Sequence, residues 1–214
     1  MHLPFNPIQF SFSCLNSSSL KLVKPKDPEV VLETVTDKQY DKDKFLPYWA
    51  EIWPSSEILL QYLVENDFKT AKVLEMGCGI GHISTLLSKR SLYCVASDIS
   101  PEACLYAASN IRNNEGSGTA LCCDWRTPPF KRNSFDLIVA SDVLYEKRWI
   151  EIVLFFLSYN IAIDGVALIA DPCRSHWKLF KDAAQQNGFT WEVVKTAEVN
   201  NHKSKVEILK LTFN

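Results

Sequence analysis

The chain has 214 residues, of which 47% are hydrophobic and 12% aromatic, enough for one large buried core and far from a disordered composition. Its 23 basic and 25 acidic residues leave a net charge of −2, which gives no electrostatic case for nucleic acid as a partner. Seven cysteines, an odd set with no C-x-x-C pair, read as buried thiols of a reducing, cytoplasmic setting; no zinc site, no disulfide frame and no apolar run near the ~18 residues of a membrane span are expected.

Residues 1–26 contain no Asp or Glu, carry Ser17-Ser18-Ser19, and include Lys21, Lys24 and Lys26. An organelle-targeting segment shares that composition. This one has no arginine, however, and Phe10-Ser11-Phe12-Ser13-Cys14 alternates as a strand does, which favours a leading β-hairpin. Residues 10–36 read as short strands with a turn at 24–28, Lys-Pro-Lys-Asp-Pro. A charged stretch from Asp37 to Lys44 leads into the aromatic segment Pro47-Tyr48-Trp49-Ala50-Glu51-Ile52-Trp53-Pro54. Ser55 or Ser56 then caps a predicted helix with Ile58, Leu59, Tyr62 and Leu63 on one face. Residues 1–54 form an extension of the same domain whose core is 55–214.

Val73-Leu74-Glu75 predicts a strand, and Ile83, Leu86 and Leu87 mark the helix behind it; between them lies Glu75-Met76-Gly77-Cys78-Gly79-Ile80-Gly81. A strand ending in a glycine turn that opens a helix brings backbone N–H groups against a ligand, because glycine has no Cβ to hold it off. A dinucleotide loop reads G-x-G-x-x-G with its acid roughly 20 residues later. Here the third glycine comes one place early, His82 stands where that loop wants glycine, and Glu75 is an extra acid in front. The motif resembles motif I of the class I S-adenosylmethionine methyltransferases. His82 itself reads as a residue of the helix N-terminus with no catalytic part.

From there strand and helix alternate. Tyr93–Asp98 is a strand; Ser100 caps the next helix with Pro101 at its first position and Cys104, Ala107, Ala108 and Ile111 on its apolar face. Thr119–Asp124 and Phe135–Asp142 are strands, Trp149, Ile152, Val153, Phe156 and Leu157 mark a long helix, and Val166–Pro172 is a fifth strand. Ser175 caps a helix through Leu179, Phe180, Ala183 and Ala184 that Gly188 stops. Phe189–Thr196 and Val206–Phe213 follow with only the polar loop 198–205 between them, so they pair antiparallel. The expected fold is α/β: a Rossmann-like seven-stranded sheet with a C-terminal antiparallel hairpin and a short N-terminal β/α extension.

Glu75, Asp98, Asp124 and Asp142 each close a hydrophobic run. Asp at a strand end is a common turn former, but four in succession at the tips of a parallel sheet, where ligands bind, suggest one polar site. S-adenosylmethionine offers partners for them, with Asp142 counted among the cofactor-binding residues. Asp98, with Ile99 beside it, suits the ribose hydroxyls; Asp124 and Trp125 suit the adenine amine and ring. Glu75 and the glycine loop (Gly77, Gly79, Gly81) suit the methionine ammonium, and Trp49 or Trp53 the sulfonium, unless these tryptophans are simply core.

The tryptophan-rich segment, the glycine motif, Ser141-Asp142-Val143-Leu144-Tyr145 and Ala170-Asp171-Pro172-Cys173-Arg174 together resemble the seven-β-strand protein lysine methyltransferases, from about residue 20 to the C-terminus. The resemblance implies a protein substrate, acceptor-positioning roles for Asp142 and Tyr145, and an aromatic from Trp49 or Trp53 against the cofactor; a monomer is expected. It leaves Tyr145 open as a helix cap and Arg174 as the partner of a helix C-terminus. The family often has Asp-Pro-Gly-Arg where this chain has Cys173. Small-molecule methylation, cofactor binding without turnover, and nicotinamide-dependent oxidoreduction are the alternatives.

Overall fold

The computed structural model describes residues 2–13, 19–34, 46–66, 68, 72–90, 93–199 and 204–213. Its center is a sheet of seven strands: β3 (Lys72–Met76), β4 (Tyr93–Asp98), β5 (Thr119–Cys122), β6 (Phe135–Ser141), β7 (Ile161–Asp171), β8 (Phe189–Val199) and β9 (Ser204–Phe213). They lie in the order β5-β4-β3-β6-β7-β9-β8, all running one way except β9, which is antiparallel to both its neighbors β7 and β8, as the missing crossover before it requires. Between β3 and β6 the strand order reverses, which opens a crevice above their carboxyl ends.

Helices cover both faces, so the central strands are apolar on both sides instead of alternating. Leu137, Ile138, Val139 and Ala140 of β6 are all fully buried. Leu74, Ile138 and Ala140 face α5 (Trp149–Asn160) and α6 (Trp177–Gln186), through Val153, Phe156, Leu157 and Phe180. Val73, Leu137 and Val139 face α2 (Pro54–Glu65) and α3 (His82–Lys89), through Leu59, Leu63, Ile83 and Leu87. The helix α4 (Pro101–Asn113) crosses from β4 to β5; Ser100 caps it by accepting from Ala103 N–H, with Pro101 first, as its sequence predicts.

The N-terminal extension is a β-hairpin, β1 (Pro7–Ser13) with β2 (Ser19–Pro25), followed by a helix where strands were expected. That helix, α1 (Pro28–Glu33), starts on Asp27, whose carboxylate accepts Glu29 N–H, with Pro28 in the first turn. Asp-Pro fits a turn and a helix start equally well, and here it opens a helix. Two expected caps are also corrected. α2 begins at Pro54 behind Trp53, and the Ser56 hydroxyl donates back to the Trp53 carbonyl. α6 begins at Trp177 behind His176, with no side-chain cap from Ser175. β7 starts five residues early because α5 runs directly into it at Ile161, with Asp164 in the left-handed region. Cys14 and the charged stretch 37–44 lie outside the described residues. The described cysteines are largely buried, but Cys122 is exposed and Cys173 half-buried. No described helix is long and apolar enough to cross a membrane.

Candidate functional site

A cavity of about 510 Å³ occupies the crevice where strand order reverses, within the size range of sites for small cofactors. Eleven of the twelve residues singled out above line it: Trp49, Trp53, Glu75, Gly77, Gly79, Asp98, Ile99, Asp124, Trp125, Asp142 and Tyr145. The four tip carboxylates therefore meet in one space. Gly81 stands behind the wall, as the left-handed N-cap of α3.

The glycine loop has no room for side chains. All three glycines have positive φ, and a Cβ on Gly79 would come 2.9 Å from the Trp49 carbonyl oxygen. Gly79 N–H donates to Asp98 Oδ2 at 3.0 Å, while Asp98 Oδ1 accepts Ser100 N–H at 3.0 Å. Asp98 thus fixes the loop against its own strand tip. Glu75 is buried, and its Oε2 accepts from the N–H (2.8 Å) and hydroxyl of Ser84. Asp124 engages Arg126 with both oxygens, which holds its carboxyl below the usual range.

Burial pushes the Glu75 carboxyl up to about 8, against the opposing hydrogen bonds from Ser84. An unfolded Glu titrates near ~4.3, so the native state keeps a proton that the unfolded state has lost, and stability falls as pH rises through about 8. Burial drops His82 to about 4 and acts in the opposite sense, but only up to the ~6.5 of an unfolded histidine. The interval from ~6.5 to 8 thus isolates Glu75 from His82. Over it the melting temperature of the free protein should fall, and Glu75→Gln should flatten the slope; equal slopes in both proteins would contradict this.

Asp142 follows β6 with φ +58 and donates its N–H to Ala170 O at 3.0 Å. Arg174 joins it to Asp171, with Nη2 2.6 Å from Asp142 Oδ1 and Nη1 3.0 Å from Asp171 Oδ2. Arg174 therefore bridges two strand ends and does not cap a helix. Burial raises the Asp142 carboxyl and the Arg174 charge opposes that rise. Ser55 lies near enough to ease the carboxylate but without hydrogen-bond alignment. Asp142 Oδ2 is buried with no partner among the described residues.

One wall is a row of rings. Trp53, Tyr48, Tyr145, Trp149 and Trp125 follow one another with centroids 6.0, 5.9, 5.9 and 5.5 Å apart. Tyr145 belongs to this row and caps no helix. Trp49 is the more enclosed of the two candidate tryptophans, packed on Tyr106 at 5.5 Å, whereas Trp53 stands at the rim. Tyr48, Trp149, Arg174 and His82 were not singled out for the site by sequence, yet all line it. His82 is indeed the first residue of α3; burial against Phe12, 5.6 Å away, brings it to the wall.

Cys173, where the family often has glycine, has φ +55. That conformation costs a side chain ~1–2 kcal/mol, whereas glycine returns only about 0.5–1 kcal/mol in chain entropy. Cys173→Gly should therefore be neutral or stabilizing by up to ~1 kcal/mol, and the β-branched Cys173→Val destabilizing by ~1–2 kcal/mol, in chemical denaturation.

These features suit S-adenosylmethionine. The loop is a cradle that any Cβ would fill, the tip acids lining the cavity are of a type that accepts from hydroxyl and amine donors, and aromatic faces suit a sulfonium. Buried Nε1 of Trp125 and Nε2 of His82, on cavity-lining residues, have no partner among the described residues. Known proteins agree. The family model described as "Methyltransferase domain" matches residues 73–154. The electron transfer flavoprotein beta subunit lysine methyltransferase of Danio rerio is 29% identical over 136 residues, 62% of this chain and 52% of that protein. The chain thus spans about half the length of that relative. The fold is shared with the TehB-like SAM-dependent methyltransferase from Corynebacterium glutamicum (TM-score 0.56, 22% identity, 67% of this chain and 80% of that one). It is also shared with P. horikoshii TYW2 in complex with MeSAdo (TM-score 0.63, 15% identity, 96% and 72%). Loop and sheet order give the chain the class I methyltransferase fold, its residues 73–154 match the methyltransferase domain, and its cavity suits S-adenosylmethionine as the cofactor.

Proposed function

We propose that the protein transfers methyl groups to a nitrogen, the ε-amine of a lysine in a protein substrate. One observation carries this reading. Asp142 lines the cavity beside Tyr145, with Arg174 on one of its oxygens and aromatic rings along the wall, a combination that suits an alkyl amine. The names of the relatives point the same way.

Bound S-adenosylmethionine supplies a methyl carbon already activated by its sulfonium. The task left to the protein is alignment at about 3–3.5 Å. A free lysine, with pKa near ~10.4, is protonated at neutral pH and cannot attack. Partial burial in the cavity disfavors the charged amine by desolvation, while Asp142 and the Tyr145 hydroxyl orient it as its proton leaves to water. Arg174 holds Asp142 in place from the other side. No dedicated general base is assigned.

Incubation with S-adenosylmethionine and a protein extract, followed by peptide mass spectrometry, tests the reading. Lysine peptides heavier by one methylene per transfer are expected. Methylated small solutes with no methylated lysine peptide would overturn the protein acceptor.

A further inference from the structure

Among the described residues the N-terminal hairpin pairs with no strand of the main sheet, yet the free edge of β2 is not left to water. Two asparagines of α4 complete it. Asn110 accepts Val23 N–H with Oδ1 at 2.7 Å and donates Nδ2 to the Val23 carbonyl at 3.0 Å. Asn114, at the helix end, does the same for Lys21, accepting its N–H at 3.0 Å and donating to its carbonyl at 2.8 Å. The match is geometric. Four helical residues rise ~6 Å and two strand residues ~6.6 Å, so the two amides fall opposite alternate peptide groups. A carboxamide has the acceptor and donors of a peptide, and the pair imitates a neighboring strand.

Asn110 does one thing that Asn114 does not. Its Nδ2 also donates to the carbonyl of Ile80 at 2.8 Å, at the crest of the glycine loop between Gly79 and Gly81. Asn110 is fully buried, so these bonds have no competing water. The same N-terminal segment backs two cavity residues: Phe5 packs on Trp49 with centroids 6.1 Å apart, and Phe12 on His82 at 5.6 Å. The Tyr106 hydroxyl of α4 adds a bond to the Pro4 carbonyl.

We propose that Asn110 is a positioning residue of the donor site, clamping the crest of the glycine loop to the docked hairpin, so that cofactor affinity depends on this amide. The inference rests on the cofactor and not on the lysine acceptor, and its test reads binding alone. Asn114 is the internal control, because it holds the hairpin with equally many bonds but does not touch the loop.

Calorimetric titration with S-adenosylhomocysteine should show affinity reduced at least tenfold in Asn110→Leu and less than threefold in Asn114→Leu. Equal losses in the two variants, or an unchanged affinity in Asn110→Leu, would overturn the proposal. If Asn110→Leu does not fold, hydrogen exchange on the wild-type protein decides. S-adenosylhomocysteine should slow exchange of the Val23 amide at least tenfold more than exchange of amides in β8. Uniform slowing of both, the mark of global stabilization alone, would overturn it.

Discussion

Asp142→Asn should lower methyl transfer by ~10²–10³-fold while S-adenosylhomocysteine affinity changes little. Asparagine keeps the shape and tolerates the left-handed backbone that Asp142 adopts at φ +58. What it removes is the negative charge whose Oδ2 has no partner among the described residues. Arg174 keeps Asp171 at 3.0 Å, so the loop around the site retains a bridge. A charge-assisted bond contributes ~1.5–3 kcal/mol, and the variant should lose about that in stability while remaining folded. Steady-state kinetics with a verified acceptor checks this; near-normal turnover would sink the role of Asp142.

Gly81→Ala is the second large effect, and it acts on the fold and the donor together. The new Cβ would lie 2.6 Å from the Cβ of Ala107 and 2.8 Å from its Cα, on the backbone of α4, which cannot step aside. Its φ of +74 adds a conformational cost of ~1–2 kcal/mol. With overpacking of ~1–3 kcal/mol, the loss in chemical denaturation should total ~2–5 kcal/mol, accompanied by loss of cofactor binding. Gly188→Ala is the natural comparison. Its φ is +86, but the nearest atom to a Cβ there is a Phe213 ring carbon at 3.5 Å, so only the conformational cost of ~1–2 kcal/mol applies. Equal losses at the two positions would contradict the packing argument.

The contrast between these glycines reflects what a sequence can carry. The spacing Glu75-x-Gly77-x-Gly79-x-Gly81 and the acids at strand ends are local signals, written where strand gives way to loop, and the structure gathers them into one cavity. Ser100-Pro101 likewise marked a helix start through chemistry confined to one turn. The aromatic wall is different. Tyr48 meets Tyr145 only because the segment before α2 folds over the tip of β6, and no local pattern encodes that meeting. Arg174 finds Asp142 across two strand ends, and Asn110 finds Val23 and Ile80 through the docking of a hairpin. His82 has an ordinary helical spacing and reaches the wall through burial against a ring 5.6 Å away. Asp27-Pro28 opens a helix where a turn is expected, because its local chemistry serves both structures equally.

The donor assignment underlies every role given to the cavity, and parallel calorimetric titrations with S-adenosylhomocysteine and NAD test it most directly. One saturable site for S-adenosylhomocysteine, abolished in Gly81→Ala, and no heat of binding with NAD are the predicted results. Binding of NAD without binding of S-adenosylhomocysteine would contradict the account.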